Sequence, residues 1–224
     1  MKTLPLKIDL HVHSNYSYDS IITPEELVFY AKKKGLDGVA ITDHDRIDGA
    51  FKISQETDFP IIPGMEISSS DGHIVALNVQ ETIPRGLNAQ ETVDRIHESG
   101  GIAVACHPGS FFVRSVSIEF EAKFDAVETI NASSFPFKYS VKQAQKLALK
   151  LGAPQVAGTD AHYGPELGFA YTLIDAENNT SEIVDAIKKG LCQPFGSPIP
   201  WRLRLEKILL STRRSISEPK EKEK

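Results

Sequence analysis

Apolar positions along the chain switch repeatedly between a strand-like and a helix-like period. LKIDLHV is followed by the helical pattern TPEELVFYAKKKG, then by DGVAIT, a short helix near Asp48 to Gln55, and PIIPGMEIS. The alternation continues through HIVALNV, NAQETVDRIHESGG, IAVAC, FDAVETI, YSVKQAQKLALKLG and PQVAG, and ends with GFAYTLI before TSEIVDAIKKG. Such βα repetition predicts an α/β fold with about seven strands. Thr23 reads as an N-cap with Pro24 at the first helical position, and Gly35 closes that helix. Gly100, Gly152 and Gly190 close others in the same way.

The length of 224 residues with 41% apolar composition suits one α/β domain. Beyond Pro198-Ile199-Pro200, residues 201–216 predict an amphipathic helix packing Trp201, Leu203, Leu205, Ile208 and Leu209 on the domain. Residues 217–224 read as a disordered charged tail. The basic residues Arg202, Arg204, Lys207, Arg213 and Arg214 form either a solvated face or an RNA contact. The net charge of −5 supplies no global field for nucleic acid or an anionic membrane. The opening MKTLPLKIDLHVH lacks a signal-peptide core, and no apolar run approaches the roughly 20 residues of a membrane span, so a cytoplasmic location is expected. Cys106 and Cys192 have no CxxC spacing, which fits a reducing compartment.

Five of the seven histidines cluster with acidic residues where strands are expected to run out, in HVH, TDH, MEIS, CHPG and TDAH, and His73 joins them as a sixth candidate. In a (β/α) barrel the carboxyl ends of the strands converge on one face, so one pocket can collect them. Strand geometry points His11 and His13 to the same side, and likewise Asp160 and His162. The candidate metal ligands are His11, His13, Asp19, His44, Glu66, His73, His107, Asp160 and His162. Six neutral imidazoles and three carboxylates supply −3 against the +6 of three divalent ions, a surplus that favours phosphate and a bridging hydroxide. Nitrogen-rich ligation suits Mn²⁺, Fe²⁺ or Zn²⁺ better than Mg²⁺ or Ca²⁺.

HVHSNYSYDS, TDHD, the glutamate of GMEIS, HPG and GTDAH together resemble the successive motifs of the PHP (polymerase and histidinol phosphatase) superfamily of metal-dependent phosphoesterases. The resemblance covers most of the chain. It implies a distorted (β/α)7 TIM-like barrel over residues 1–200, including a C-terminal PHP-associated region, and a site of two or three divalent ions. By that resemblance His11 and His13 share one ion with Glu66 and Asp160. Glu66 bridges to a second ion held by His73 and His107, and Asp19, His44 and His162 hold the third. Glu66, His107, Asp160 and His162 are the catalytic candidates. Asp19 stands where histidinol-phosphate phosphatases of the superfamily have histidine, which is more similar to the nucleotide and oligonucleotide branch. Only one strand, a short loop and one helix fit between His73 and His107, leaving no room for an inserted lid.

Arg46, Arg114 and Lys138 are candidate phosphate clamps, with ordinary solvation as the alternative. Phe111, Phe112, Phe135 and Phe137 could stack on a base or anchor loops. Asp43 and Asp45 could orient a ligand imidazole or cap a turn. Glu128 and Asn131 close a strand and could face the pocket, while His97 lies inside a helix, away from it. Cys106 precedes His107 on a strand, so its thiol should point away from the site. The expected activity is hydrolysis of a small phosphorylated substrate, either a nucleotide-type phosphomonoester or the terminal phosphodiester of a short oligonucleotide. Neither a membrane nor an obligate protein partner is implied. The competing readings are a non-catalytic RNA-binding PHP-like subunit, a histidinol-phosphate-type phosphatase and a carbon–nitrogen hydrolase of the amidohydrolase type.

Overall fold

The computed structural model describes residues 4–115 and 122–217. The strands are β1 (Leu6–Val12), β2 (Gly38–Ile41), β3 (Ile61–Ser69), β4 (Gly72–Leu77), β5 (Ile102–Ala105), β6 (Ala126–Asn131), β7 (Gln155–Gly158), β8 (Ala170–Ile174) and β9 (Cys192–Gly196). The α-helices are α1 (Pro24–Lys33), α2 (Asp48–Glu56), α3 (Ala89–Glu98), α4 (Phe137–Leu151), α5 (Thr180–Lys188) and α6 (Trp201–Ser217). Helix starts are locally encoded: Thr23 with Glu26, and Asn88 with Glu91, each form a capping box that satisfies two free N–H groups. Gly152, at φ 63°, ends α4 in the left-handed conformation that glycine adopts without strain.

Among the described residues the strands form one sheet in the order β7-β6-β5-β4-β3-β2-β1-β8-β9. The sheet curls until β1 meets the end of β7. His13 N–H donates to the Ala161 carbonyl at 3.0 Å and Asp160 N–H to the His11 carbonyl at 2.7 Å. The Thr172 hydroxyl of β8 also accepts from the Ala157 N–H and donates to its carbonyl. The result is the nearly closed, distorted barrel of the α/β class expected from the sequence.

Two features depart from simple βα repetition. First, β4 runs antiparallel to both β3 and β5. Ser69 and Gly72 are paired across a tight turn, which leaves no chain for the crossover that a parallel pair needs. His73 therefore begins a strand instead of ending one, and the reversal still brings it to the same end of the barrel as Glu66. Second, β8 pairs antiparallel with both β1 and β9, and β9 was not expected at all. Its Pro194 and Gly196 argue against a strand, and β9 tolerates them because it is the last strand of the sheet.

Apolar side chains pack in two layers. Ile8, Leu10, Ala40, Ile62, Val75 and Val104 belong to one buried cluster, and Val12, Leu27, Ile41, Ile67, Ile96 and Leu147 to a larger one that takes in residues of α1, α2, α3 and α4. Each Val, Leu or Ile among them contributes roughly 1.5–3 kcal/mol by leaving water.

Helix α6 docks differently from the amphipathic expectation. Leu203 packs against the cluster of Ala132, Ala157, Ala170 and Ile199, but Trp201, Leu205, Ile208 and Leu209 are exposed. Polar anchors hold the helix instead. The Arg204 guanidinium donates to the carbonyls of Ala132, Ser133 and Ile199 at 2.9–3.1 Å, and Lys207 pairs with the buried Glu166 at 3.4 Å. Arg202 pairs with Glu206 on the helix surface. The helix extends to Ser217, one residue into the expected tail; residues 218–224 and the side chains of Arg213 and Arg214 lie outside those described. No described helix is long and apolar enough to cross a membrane.

Candidate metal centre

Two β-bulges aim the central side chains. In β1 the pairing moves from Asp9↔Val39 to Val12↔Ile41, one extra residue on β1. Leu10 can therefore join the barrel interior while His11 and His13 both turn to the site, their ring centroids 5.2 Å apart. In β6 the pairing moves from Glu128↔Val156 to Ile130↔Ala157, which brings Glu128 and Asn131 to the same pocket. Gly158 at the end of β7 leaves the necessary room. A Cβ there would collide with His11 Cβ and stand 2.7 Å from Glu128 Oε1.

Glu66 is the hub. Its Oε2 lies 3.3 Å from His11 Nε2, 3.2 Å from His13 Nε2 and 3.3 Å from His44 Nδ1. Its Oε1 lies 2.9 Å from both His73 Nδ1 and His107 Nε2. Asp160 Oδ1 faces His13 at 3.3 Å and His162 at 3.5 Å. Asp19 Oδ2 faces His44 Nε2 at 3.3 Å and His162 Nε2 at 3.1 Å. All nine residues singled out in the sequence thus stand around one pocket. Four sets place their potential ligand atoms within 4.8 Å of one another: His11/His13/Glu66/Asp160, His13/Asp19/His44/His162, His44/Glu66/His73 and Glu66/Cys106/His107. The first matches the set implied by the resemblance. The second contains the implied set of Asp19, His44 and His162 with His13 added, whereas the implied pair of His73 and His107 is split, His73 grouping with His44 and His107 with Cys106.

Cys106 corrects the strand-alternation argument. Strand β5 stops at Ala105 and His107 takes φ 38°, so period two no longer applies. The thiol donates to the His73 carbonyl at 3.1 Å and lies 3.6 Å from Glu66 Oε1. Asp160 also has positive φ, 56°. Non-glycine residues in this region cost of order 1–3 kcal/mol and persist where surrounding contacts over-determine them. Here Glu128 Oε2 accepts the His107 N–H at 2.8 Å, and the His11 carbonyl accepts that of Asp160.

Glu128 is the main contributor that sequence reasoning undervalued. Its Oε1 takes His11 Nδ1 at 3.1 Å, leaving Nε2 facing Glu66, while Asn131 Nδ2 bridges Glu128 Oε2 at 3.0 Å to Asp160 Oδ2 at 3.3 Å. A carboxylate behind an imidazole fixes both its tautomer and its orientation. The carboxylates flanking His44 do not play this part. Asp43 accepts the N–H and hydroxyl of Ser14, both at 2.6 Å, in the loop after β1, and Asp45 accepts the Ser68 N–H of β3 at 2.7 Å, so both tie loop and strand backbone together. Asp9, also unmarked by the sequence, accepts the N–H and hydroxyl of Thr159 and joins β1 to the segment carrying Asp160. Burial pushes its carboxyl up to about 7. His97 bonds Asp125 at 2.7 Å, on α3 and away from the pocket.

The donor set fits divalent cations. Nε2 of His11, both ring nitrogens of His13 and Nδ1 of His44 are buried without a hydrogen-bond partner among the described residues. Such nitrogens are costly unless a cation or proton meets them. Burial opposes charge on His11, yet Asp160, Glu128 and Glu66 raise its pKa well above the ordinary range. Burial likewise opposes charge on His44, but Asp19 and Glu66 lift it to about 9. Although burial disfavours their ionised forms, Glu66 and Asp160 are lowered well below normal by the imidazoles around them. The pocket therefore demands positive charge. Glu128 adds a fourth carboxylate to the three counted from the sequence, which reduces the surplus with three divalent ions from +3 to +2.

The candidate substrate cations lie further out. Arg46 forks onto Asp48 at 2.7 and 2.8 Å, and Arg114 donates to the carbonyls of Ser69 and Ser70. Lys138 is exposed on the first turn of α4. Phe112, Phe135 and Trp201 form an exposed aromatic chain, with centroids 5.8 and 5.9 Å apart, while Phe111 meets Tyr139. This rim is tied to the pocket floor: the Ser110 N–H donates to the His107 carbonyl and the Ser133 hydroxyl to the Asp160 carbonyl.

Comparison with known proteins places this geometry in a family. Residues 9–133 match the PHP domain and residues 139–192 the PHP-associated region. The chain belongs to the PHP family. It is 38% identical over 141 residues to the uncharacterized protein MJ1587 of Methanocaldococcus jannaschii, covering 57% of this chain and 82% of that protein. It is 41% identical over 86 residues to a 5'-3' exoribonuclease of Haemophilus influenzae, covering 35% of this chain and 31% of the relative. Among solved structures, a two-domain protein from Bacteroides vulgatus containing a predicted PHP-like metal-dependent phosphoesterase superposes with a TM-score of 0.71 at 16% identity. That match covers 86% of this chain and 65% of the other.

Proposed function

We propose that the protein is a metal-dependent hydrolase of phosphate esters, acting on a nucleotide-type phosphomonoester or on the terminal phosphodiester of a short oligonucleotide. The observation that carries this reading is the convergence of six imidazoles on Glu66, Asp160 and Asp19, with buried ring nitrogens that have no hydrogen-bond partner. His11, His13, Glu66 and Asp160 would hold the innermost ion, and Asp19, His44 and His162 an outer one. Glu66, His107, Asp160 and His162 are the proposed catalytic residues. Bound divalent ions, Mn²⁺, Zn²⁺ or Fe²⁺, would lower the pKa of water and offset charge on phosphoryl oxygens. Glu128 keeps the His11 ring oriented, and Asn131 does the same for Asp160.

The substrate class is supported by two features. Asp19 is an aspartate in a position where the histidinol-phosphate branch carries histidine, and the aromatic rim of Phe112, Phe135 and Trp201 offers faces on which a base can stack. No inserted domain separates His73 from His107, only the remainder of β4, α3 and β5, so no lid of that origin restricts the length of the substrate. The test is metal analysis of the purified protein with a screen of phosphomonoesters, nucleotides and short oligonucleotides under Mn²⁺, Zn²⁺ and Fe²⁺. Turnover should vanish in His11→Ala and Asp160→Ala. Metal-free protein that is fully folded and inert with every added cation, or undiminished turnover in both variants, refutes the reading.

A further inference from the structure

We propose that Cys106 is a sulfur ligand of the ion beside Glu66 and His107, making this position selective for a thiophilic divalent cation. The inference rests on the metal-centre reading above. Three atoms carry it: Glu66 Oε1, His107 Nε2 and Cys106 Sγ all lie within 4.8 Å of one another. The nitrogen lies 2.9 Å and the sulfur 3.6 Å from the shared oxygen. A tetrahedral ion with a metal–sulfur bond of about 2.3 Å and a metal–oxygen bond of about 2.0 Å sets sulfur and oxygen about 3.5 Å apart, so the sulfur already stands at ligand spacing. The same carboxylate also meets cation demand on its other face, within the His11/His13/Glu66/Asp160 set. There His11 Nε2, almost fully buried, is 3.3 Å from Glu66 Oε2 without a hydrogen-bond partner.

The competing role for Cys106 is apolar filling. It belongs to the interior cluster and lines a small cavity with Leu10, Val75, Val104 and Val156. A pure filler would face only such neighbours, whereas this thiol reaches past them to a carboxylate that five imidazoles already surround. On ligation the S–H bond breaks, sulfur bonds the cation and the proton leaves to solvent, as is usual when thiols bind metal. The thiolate adds a negative charge to the pocket. Soft sulfur favours Zn²⁺, Fe²⁺ or Co²⁺ over Mn²⁺ and Mg²⁺.

The test loads the full chain with Co²⁺ and, separately, Zn²⁺. A sulfur-to-cobalt charge-transfer band in the near ultraviolet and a zinc–sulfur shell near 2.3 Å in X-ray absorption are expected. Both should disappear in Cys106→Ser and Cys106→Ala and persist in Cys192→Ser, since Cys192 faces the Gln155 carbonyl elsewhere in the fold. The preference for Zn²⁺ over Mn²⁺ should fall at least tenfold in Cys106→Ser. Metal bound without a sulfur band or shell overturns the proposal and leaves the metal centre standing. Failure to bind either metal overturns both.

Discussion

Glu66 and Asp19 are both carboxylates facing imidazoles, set at two depths in one pocket. Glu66 sits on β3 with its side chain 2% exposed and five imidazoles at 2.9–3.3 Å. Asp19 lies on the loop after β1, 31% exposed, with two imidazoles. Strand register holds the inner acid; the outer one leans on the Ser17 hydroxyl at 2.8 Å. Charges interact more strongly where water is excluded, so the inner group should bind tightly and the outer group exchange with solvent. A graded site of this kind would keep its core ion while its mouth admits substrate.

The comparison can be broken most severely at its hub. Glu66→Gln should strip the inner ions and lower turnover by about 10³-fold or more, corresponding to several kcal/mol of lost charge stabilisation; elemental analysis and steady-state hydrolysis of a phosphomonoester measure it. Glu128→Gln leaves every proposed ligand in place but loosens His11. It should weaken the inner metal by about 10–100-fold in chelator competition, with a smaller effect on the outer ion. In Asp19→Asn, only the outer ion should be lost, so that metal content drops by one and turnover by about tenfold. Equal loss of inner and outer metal in that variant would erase the distinction between the two depths.

The smallest effect concerns pH in protein stripped of metal. Once burial has been overcome, Asp19 and Glu66 raise His44 to about 9. The proton on this ring then stabilises the fold fully below about 6.5, and that contribution is lost as pH rises through about 9. The Tm of the chelator-treated protein should fall across this window, and the fall should flatten in Asp19→Asn. Metal affinity should rise over the same interval, because cation and proton compete for the same nitrogens. A Tm that climbs from pH 6.5 to 9 contradicts the assignment.

Much of the site was legible because its residues stand in short motifs near strand ends, and chain order maps those ends onto one face. His11-x-His13 and Asp160-x-His162 needed no tertiary knowledge beyond that. His73 reaches the pocket by a route that strand ends did not predict, since its strand runs backwards. Glu128 and Asn131 were seen only as residues that could face the pocket, because a bulge in β6 decides where they point. Cys106 was placed on the wrong side for a related reason: alternation holds only while the strand continues, and β5 ends one residue earlier. In α6 the apolar stripe suggested packing through Trp201 and Leu205, whereas Arg204, bonded to three carbonyls, does much of the anchoring.

The sequence by itself determined the alternation of strands and helices, the capped helix starts, the nine converging side chains and the family resemblance that they carry. These follow from periodicity and local chemistry, which are written in neighbouring residues. Only the tertiary structure decided the reversal of β4, the two bulges, the pairing of Glu128 with His11 and the approach of Cys106 to Glu66. Each of those depends on how strands far apart in the chain register against one another, and a shift of a single residue there turns a side chain from the core to the site.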